Sequence, residues 1–597
     1  MKQLAYLNKY FWRYRRHFFL GFLFVSLSNY FRVLQPQTIR EALDLVVENL
    51  YLYRVYQGTA LEGEFFAMLG QQLFYFGLLV LVLAVVMGLF MYWMRQTIIV
   101  MSRLMEYDMR KEVFAHYEKL DLAFYKRNNT GDLMARITED VNKVRMYLGP
   151  AILYGVNLVS LFILVISSML VVSPELTLYC LIPLPFLSLS IYYVSTLINR
   201  QSEKIQKQLA VLNSTAQEVY SGIRVVKSYV QEAPTVKHFA DQSDRFKRQS
   251  LRLALTNSLF FPLMLLLLGI STLLVVYFGG MQVVKGTITP GNIAEFIIYV
   301  NMLTWPVTAI GWIASIVQQA AASQKRINEF LKTQPSITNI GHNTENLKGE
   351  IEFQNVTFTY PDTGITALQN INFKLAPGQK MAIIGRTGAG KTTIADLLLR
   401  MYDVTEGQIL LDGQALATHD LAKIRQRIGY VPQDVFLFSD TISANIAFGK
   451  RDAPQPEIEN FARYASVYND IMELPQGFDT MVGERGVTLS GGQKQRVSIA
   501  RALIKQPDIV ILDDCLSAVD TNTEKQVLEY FTTALANKTA IIITHRIYSL
   551  LQFDQIIVMD GSRIVEAGTH ETLLQNKGYY ADLFEKQTEE VPASTLE

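Results

Sequence analysis

Apolar residues gather in long runs over the first half of the chain and in short runs over the second. The long runs lie near residues 17–38, 73–96, 148–172, 177–198, 257–279 and 293–317. Each is about 20 residues or more, the length a helix needs to cross about 30 Å of hydrocarbon. They are not uniformly apolar: Asn29, Arg32, Asn157 and Asn301 interrupt them. Polar side chains in a span face other helices or a wet cavity, so these are not ideal lipid-facing rods. The first run, from His17, follows Lys2, Lys9, Arg13, Arg15 and Arg16 and imitates a secretory signal. No small-residue cleavage site follows it, and it reads as a retained first span.

The segments between the runs carry a second pattern. Leu104, Met105, Met109, Val113 and Phe114 recur at helical spacing between Met101 and Tyr117, without Pro or Gly. The span helices are therefore expected to continue beyond the membrane. Breaks are expected near Asn128–Gly131 and around Ser221-Gly222, places where loops can dock on a soluble domain. Segments 99–147 and 199–256 are rich in Lys and Arg, whereas Glu41, Asp44, Glu48, Glu62 and Glu64 follow the first span. The bias towards cytoplasmic positive charge puts the N-terminus, both long segments and the C-terminal half in the cytoplasm. Leu4–Trp12, with Tyr6, Lys9, Tyr10, Phe11 and Trp12, reads as a short helix in the membrane interface.

From about Asn339 the pattern becomes that of a soluble α/β domain. Short β-rich runs at 351–359, 381–384, 509–512 and 540–543 alternate with helical stretches at 392–401, 491–505 and 523–536. A mostly parallel sheet covered by helices is expected. The fold class is thus a six-span α-helical domain, residues 1–335, followed by an α/β phosphate-loop domain, 340–587, and a polar tail, 588–597. Composition agrees: 50% of residues are hydrophobic and 18% charged, below the quarter usual in soluble proteins. A net charge of +1 argues against a nucleic-acid binder. Cys180 and Cys515 sit in unlike surroundings and suggest neither a disulfide nor a metal site.

Chemistry enters with Gly385-Arg386-Thr387-Gly388-Ala389-Gly390-Lys391-Thr392-Thr393, which fits G-x-x-x-x-G-K-[ST] between a strand and a helix. Its glycines let consecutive backbone N–H groups wrap a phosphate at a helix N-terminus. Lys391 supplies a positive charge for the β- and γ-phosphates and Thr392 a hydroxyl for Mg²⁺. Downstream, the run Ile509–Leu512 ends in Asp513-Asp514, and Asp513 at the strand end can reach the Mg²⁺ shell. Further along the chain, Leu489-Ser490-Gly491-Gly492-Gln493 opens a helix and exposes N–H groups suited to an anion.

That last motif, just before an aspartate-terminated strand, makes the chain resemble the ATP-binding cassette (ABC) transporters. Six spans followed by a cassette resemble an exporter half-transporter over essentially the whole chain. The resemblance implies ATP and Mg²⁺ as ligands and the bacterial cytoplasmic membrane as the location. It implies that Tyr360 stacks on adenine, that Gln433 touches Mg²⁺ and signals to the spans, and that His545 contacts the γ-phosphate. It further implies that Val482–Gly486 meets the long helices and that Ser517, Ala518, Val519 and Asp520 form the loop exchanged between two cassettes. In this family ATP lies between the phosphate loop of one cassette and the LSGGQ of another, so a second half-transporter is required.

One residue departs from the family pattern. The position after the Mg²⁺-binding aspartate is normally Glu, the base for the attacking water, and here it is Asp514. Its carboxylate falls back by about 1.5 Å, one C–C bond. This resembles the weak-site subunit of a heterodimeric exporter; a homodimer in which Asp514 serves as the base is the alternative. The reading is ATP-driven, alternating-access export of a lipophilic or amphipathic drug or lipid. Import of a chelate and an ATP-gated channel are the rival readings. Phe260, Phe261, Met264, Met302 and Trp305 are candidate cavity residues, and Arg32 is the polar candidate for an anionic head group.

Overall fold

The structure, a computed structural model, describes residues 2–339, 341, 347–483, 489–516, 521–534, 537–545 and 553–589. The chain divides into two units, one of residues 1–117 and 131–333 and one of residues 118–130 and 334–597.

The first unit is helical. Its principal helices are Arg15–Tyr56, Glu62–Tyr117, Ile152–Val172, Pro183–Ser221, Glu232–Val284 and Pro290–Leu331. Among the described residues, five stretches are long and apolar enough to cross a membrane; the third of them is the nearly continuous run Thr130–Val172. The expected span at 177–198 falls instead on two helices, Pro174–Leu181 and Pro183–Ser221, which meet at Ile182. Pro183 and Pro185 explain the break, since Pro lacks the N–H a helix interior needs. A 42-residue helix is about 63 Å long, twice the hydrocarbon thickness, so the spans do extend beyond the membrane.

Buried polar contacts fix the helices against one another. Glu295, fully buried, accepts from Arg40 at 3.3 Å and from the Tyr299 hydroxyl at 2.9 Å. Asp140 accepts from Ser323 at 2.8 Å and from Arg326 Nε at 2.9 Å. Gly291 sits so close to Arg40 that a Cβ there would meet its carbonyl oxygen at 2.6 Å. The N-terminal aromatic segment is helical as expected, Lys2–Leu7 being 3₁₀ and Asn8–Arg13 α. It also packs on protein: Lys9 and the Tyr6 hydroxyl both lie 2.6 Å from the Glu112 carboxylate, and Leu7 and Tyr10 are buried.

The second unit contains ten strands among its described residues. They are β1 (Ile351–Thr359), β2 (Thr366–Leu375), β3 (Lys380–Gly385), β4 (Glu406–Leu411), β5 (Gln414–Ala415), β6 (Ile428–Val431), β7 (Ile509–Asp513), β8 (Thr539–Ile543), β9 (Gln555–Asp560) and β10 (Arg563–Gly568). One sheet has the order β10-β9-β3-β8-β7-β6 and is parallel except for β10. Its central strands are buried on both faces, as continuous apolar runs such as Ile509–Leu512 require. The other sheet, β2-β1-β4-β5, is antiparallel. The helix expected at 392–401 is shorter, Lys391–Leu398; the chain turns left-handed at Arg400, whose guanidinium pairs with Asp403 at 2.8 Å.

Segment 118–130 belongs with this α/β unit. Its helix, Leu122–Arg127, is capped by Asp121, which accepts from Phe124 N at 3.0 Å and from Ser336 N at 2.6 Å. Ala123 is buried in the core formed by β1, β2 and β3, with Leu122 against it. The long helix stops earlier than expected, at Tyr117, and this short helix ends at Arg127 with Asn128 as its cap, within the stretch where the sequence predicts a break. The second expected break is present too: the long helix stops at Ser221, and Gly222 caps the short helix Ile223–Ser228.

Candidate functional site

The parallel strands aim their C-terminal ends at one cavity of about 970 Å³. β3 leads into the phosphate loop, which runs directly into helix Lys391–Leu398. Gly385, Gly388 and Gly390 have φ of +150°, +83° and +93°, a region closed to most side chains. Two of these glycines also leave no space: a Cβ on Gly385 would meet Met559 O at 2.1 Å, and one on Gly390 would meet Ala367 O at 2.2 Å. The Lys391 ammonium is held inside the loop, donating to the carbonyls of Gly385 at 2.7 Å and Arg386 at 2.9 Å. Burial lowers its pKa, and the carboxylates of Asp513 and Asp514 oppose that shift.

Asp513, at the end of β7, is 1% exposed. Burial raises its pKa; the Thr392 hydroxyl hydrogen-bonds its carboxylate, and Lys391 lies nearby. Its Oδ2 is buried with no hydrogen-bond partner among the described residues. A buried carboxylate oxygen without a donor is costly unless something positive meets it. The pair Thr392 and Asp513, facing a phosphate loop, fits a hard cation that binds oxygen ligands and retains waters and phosphate oxygens in its shell. No cluster of three His, Cys, Asp or Glu suited to a metal exists among the described residues.

Asp514 has φ of +46°, an uncommon conformation for a residue other than Gly. Its N–H donates to Ile543 O at 2.8 Å, tying it to β8. In that pose one carboxylate oxygen lies 3.0 Å from His545 Nδ1 and the other accepts from Gln433 Nε2 at 3.4 Å. The cavity therefore brings together Gln433, Asp513, Asp514 and His545 from the ends of three neighbouring parallel strands.

At the other end of the cavity stands Tyr360, its hydroxyl 2.9 Å from Thr393 Oγ1 and its ring 5.5 Å from that of Tyr402. Sequence reasoning missed Lys126, whose ammonium lies 4.9 Å from the Tyr360 ring centre and 5.4 Å from that of Tyr402. No local signal marks it, because more than two hundred residues separate it from the phosphate loop. Tyr579 was missed as well; it lines the cavity beside Arg386, whose guanidinium lies 5.5 Å from its ring.

Asp396, on the phosphate-loop helix, gives a pH signature. Burial pushes its carboxyl from 3.8 up to about 6, partly offset by Lys126. Between those values the folded unit keeps a proton that the unfolded chain has released. Stability contributed at this position is thus present at low pH, falls as pH rises through that window and stays lost above it. Asp396→Asn should stabilise the protein at pH 7.5 by about 1–3 kcal/mol, with a gain that shrinks as pH falls towards 4. Thermal unfolding of both forms across that range tests this. A variant less stable at pH 7.5 would show that pairing with Lys126 outweighs the burial cost.

The residues Leu489–Gln493 do not line this cavity. Ser490 caps helix Gly491–Leu503 in a reciprocal box: its hydroxyl accepts from Gln493 N at 3.2 Å, and Gln493 Oε1 accepts from Ser490 N at 3.0 Å. Asp470 steadies the same turn through Arg496 at 2.8 Å and Gln493 at 3.3 Å. The chain thus presents a phosphate loop and a separate anion-ready helix start. Ser517–Asp520, and Glu484–Gly486 of the expected contact loop, lie outside the described residues.

Comparison with known proteins gives concordant matches to both halves. Residues 18–307 match the ABC transporter transmembrane region and residues 368–517 the ABC transporter family. The chain is 39% identical to a probable multidrug resistance ABC transporter ATP-binding/permease protein, YheI, of Bacillus subtilis, over 86% of this chain and 88% of that one. It is 34% identical to an ATP-dependent lipid A-core flippase of Syntrophus aciditrophicus, over 81% and 80%. A bacterial Atm1-family ABC exporter with ATP bound superposes with a TM-score of 0.76 at 27% identity, over 96% of this chain and 98% of that one.

Proposed function

Given that this chain belongs to the ABC transporter family and has the architecture of its exporters, we propose that it is one subunit of a heterodimer that exports a lipophilic or amphipathic drug or lipid. Similarity to a probable multidrug resistance transporter, an ATP-dependent lipid A-core flippase and an ABC exporter supports export over chelate import or channel gating. The cavity holds a phosphate loop, two carboxylates, Gln433 and His545 but no part of the LSGGQ segment, which supports a second chain, and Asp514 in the place of the family's Glu supports that chain being a different one. The second half of each ATP site must then come from another chain.

On this reading each residue of the site has a role. The N–H groups of Gly388–Thr393 and the Lys391 ammonium bind the phosphates, and Tyr360 offers its ring to adenine. Thr392, Asp513 and Gln433 would hold Mg²⁺, which would supply positive charge to offset that of the phosphates. Asp514 accepts the proton of the attacking water, while His545 holds that carboxylate and reaches the γ-phosphate. Ser490, Gly491, Gly492 and Gln493 serve the partner's site, and Ser517–Asp520 the contact between cassettes. Nucleotide closure reaches the spans through 118–130, whose helix is built into the cassette core. Residues 1–335, apart from the 118–130 segment built into the cassette, form the membrane domain and 340–587 the cassette, with the cassette and the N-terminus in the cytoplasm.

Two chains with unequal sites make a definite expectation. Expressed alone, the chain should bind MgATP yet hydrolyse it far below exporter rates; co-expression with a second half-transporter encoded beside it should restore hydrolysis and transport into inside-out vesicles. Full turnover by the chain alone would establish a homodimer instead.

A further inference from the structure

The helical unit contains another cavity, of about 500 Å³, walled by three of its spans and the last long helix. Arg32 and Asn29 face it from helix Arg15–Tyr56, Met91 and Arg95 from Glu62–Tyr117, Asn157 from the third span and Trp305 from Pro290–Leu331. Both arginines fall within apolar runs, at 17–38 and 73–96. Neither has a hydrogen-bond or ion-pair partner among the described residues, and no acidic residue lines the cavity. Other arginines of the same unit are paired: Arg40 lies 3.3 Å from Glu295, and Arg326 Nε lies 2.9 Å from Asp140. An uncompensated guanidinium within a membrane span is costly and is retained where a cavity and a counter-charge make use of it.

The walls define what that counter-charge is attached to. Helices Arg15–Tyr56 and Glu62–Tyr117 run antiparallel, with Gly21 against Ile98, the Phe24 ring 5.6 Å from Trp93 and Ser28 Oγ donating to Met87 O at 3.3 Å. This register puts Arg95 at the last turn of its apolar run and Arg32 roughly 12 Å further in, about eight residues of helix rise. The Asn29 amide donates to Asn157 O at 3.2 Å, closing the wall beside Arg32. Opposite stand Met91, a side chain that reshapes around irregular apolar groups, and Trp305, packed 5.5 Å from the Tyr154 ring. A guanidinium grips phosphate, sulfonate or carboxylate through two parallel N–H bonds, a geometry no neutral head group matches.

We propose that this cavity is an anion-selective substrate site, in which Arg32 holds the anionic head of an amphipathic molecule while Met91 and Trp305 receive its apolar body. Arg95, at the end of its run, meets the head first and passes it inward. The proposal rests on the export reading and narrows it to amphipathic anions.

The test uses the exporter dimer in nanodiscs and three radiolabelled probes: lysophosphatidate, an aryl-sulfonate dye and zwitterionic lysophosphatidylcholine. Arg32→Gln should weaken binding of at least one anion by roughly tenfold or more, the loss of one charge-assisted pair. Arg32→Lys, which keeps the charge without the paired N–H geometry, should restore part of that loss, and Arg95→Gln should weaken the same anion less. Affinity for lysophosphatidylcholine and basal MgATPase should stay within about threefold of the parent, which also reports correct folding. Dependence on Arg32 for lysophosphatidate alone identifies a lipid cargo, and for the dye alone a drug-like one. If no anion depends on Arg32, or the zwitterion is lost equally, the anion site is wrong while export stands. If the parent, placed in inside-out vesicles instead, moves no amphiphile with ATP, the export reading fails.

Discussion

Gly491→Asp should lower MgATP hydrolysis by the assembled dimer about 100-fold or more while leaving the subunit folded and able to bind nucleotide on its own loop. The first N–H groups of helix Gly491–Leu503 have no intrahelical acceptor, because the first turn of any helix leaves its donors unpaired. Ser490 and Gln493 take one another's N–H groups, so the remaining donors at the glycines point outward for an anion. A carboxylate at Gly491 fills that position with negative charge where phosphate would bind. Deleting one preorganised donor to a developing charge already costs about 10²–10³ in rate, and repulsion adds to it. The fold should not suffer, since Asp in the first turn interacts favourably with the helix dipole. A matched substitution in this chain's own loop, Lys391→Ala, gives the contrast. In an asymmetric dimer it removes ATP binding at the weak site and leaves much of the hydrolysis; in a homodimer it is as damaging as Gly491→Asp. Steady-state phosphate release, paired with nucleotide binding by each dimer, reads both outcomes.

Most of the soluble half could be read from sequence because its signals are local. A phosphate loop needs its glycines within a few residues of one another, and the two with no room for a Cβ, Gly385 and Gly390, stand in the motif itself. Buried parallel strands appear as unbroken apolar runs, and so β7 and β8 lie where Ile509–Leu512 and 540–543 predict them. What escaped was non-local or depended on competition between nearby groups. Lys126 looks like one loop cation among several until helix Leu122–Arg127 is found in the cassette core beside Tyr360. The helix after the phosphate loop ends early because Arg400 adopts a left-handed turn and pairs with Asp403, a choice its helical neighbours do not announce. The fourth apolar run looked continuous by composition, yet prolines at 183 and 185 make the chain begin a new helix there. Arg32 stood out as an isolated cation in an apolar run; only the fold supplies Arg95 as its companion.

Asp514→Glu should raise hydrolysis at this chain's own loop, measured with the partner's loop disabled, by about 100-fold. In the present arrangement the Asp514 carboxylate is pulled in two directions, towards His545 at 3.0 Å and Gln433 at 3.4 Å, from a backbone held left-handed by its bond to Ile543 O. A base must lie within hydrogen-bond reach of the water it deprotonates, and an aspartate so engaged is about 1.5 Å short of where a glutamate on the same Cα would place its oxygens. Errors of about 1 Å in positioning a reacting group cost on the order of 100-fold. Lengthening the side chain restores that reach without touching Lys391, Thr392 or Asp513, so affinity for MgATP should stay nearly constant and the gain should appear in kcat. Glutamate fits the left-handed position less well than aspartate, and a modest loss of thermal stability, below about 1 kcal/mol, should accompany the gain. His545→Ala added to Asp514→Glu separates the two ways the gain could arise. If Glu acts as the base and His545 orients it, the double variant loses most of the increase. An undiminished rate in the double variant would mean that the longer carboxylate needs no histidine to hold it. No increase at all in the single variant would mean that Asp514 already serves as an adequate base, and the case for unequal sites, and with it for a different partner chain, would fall.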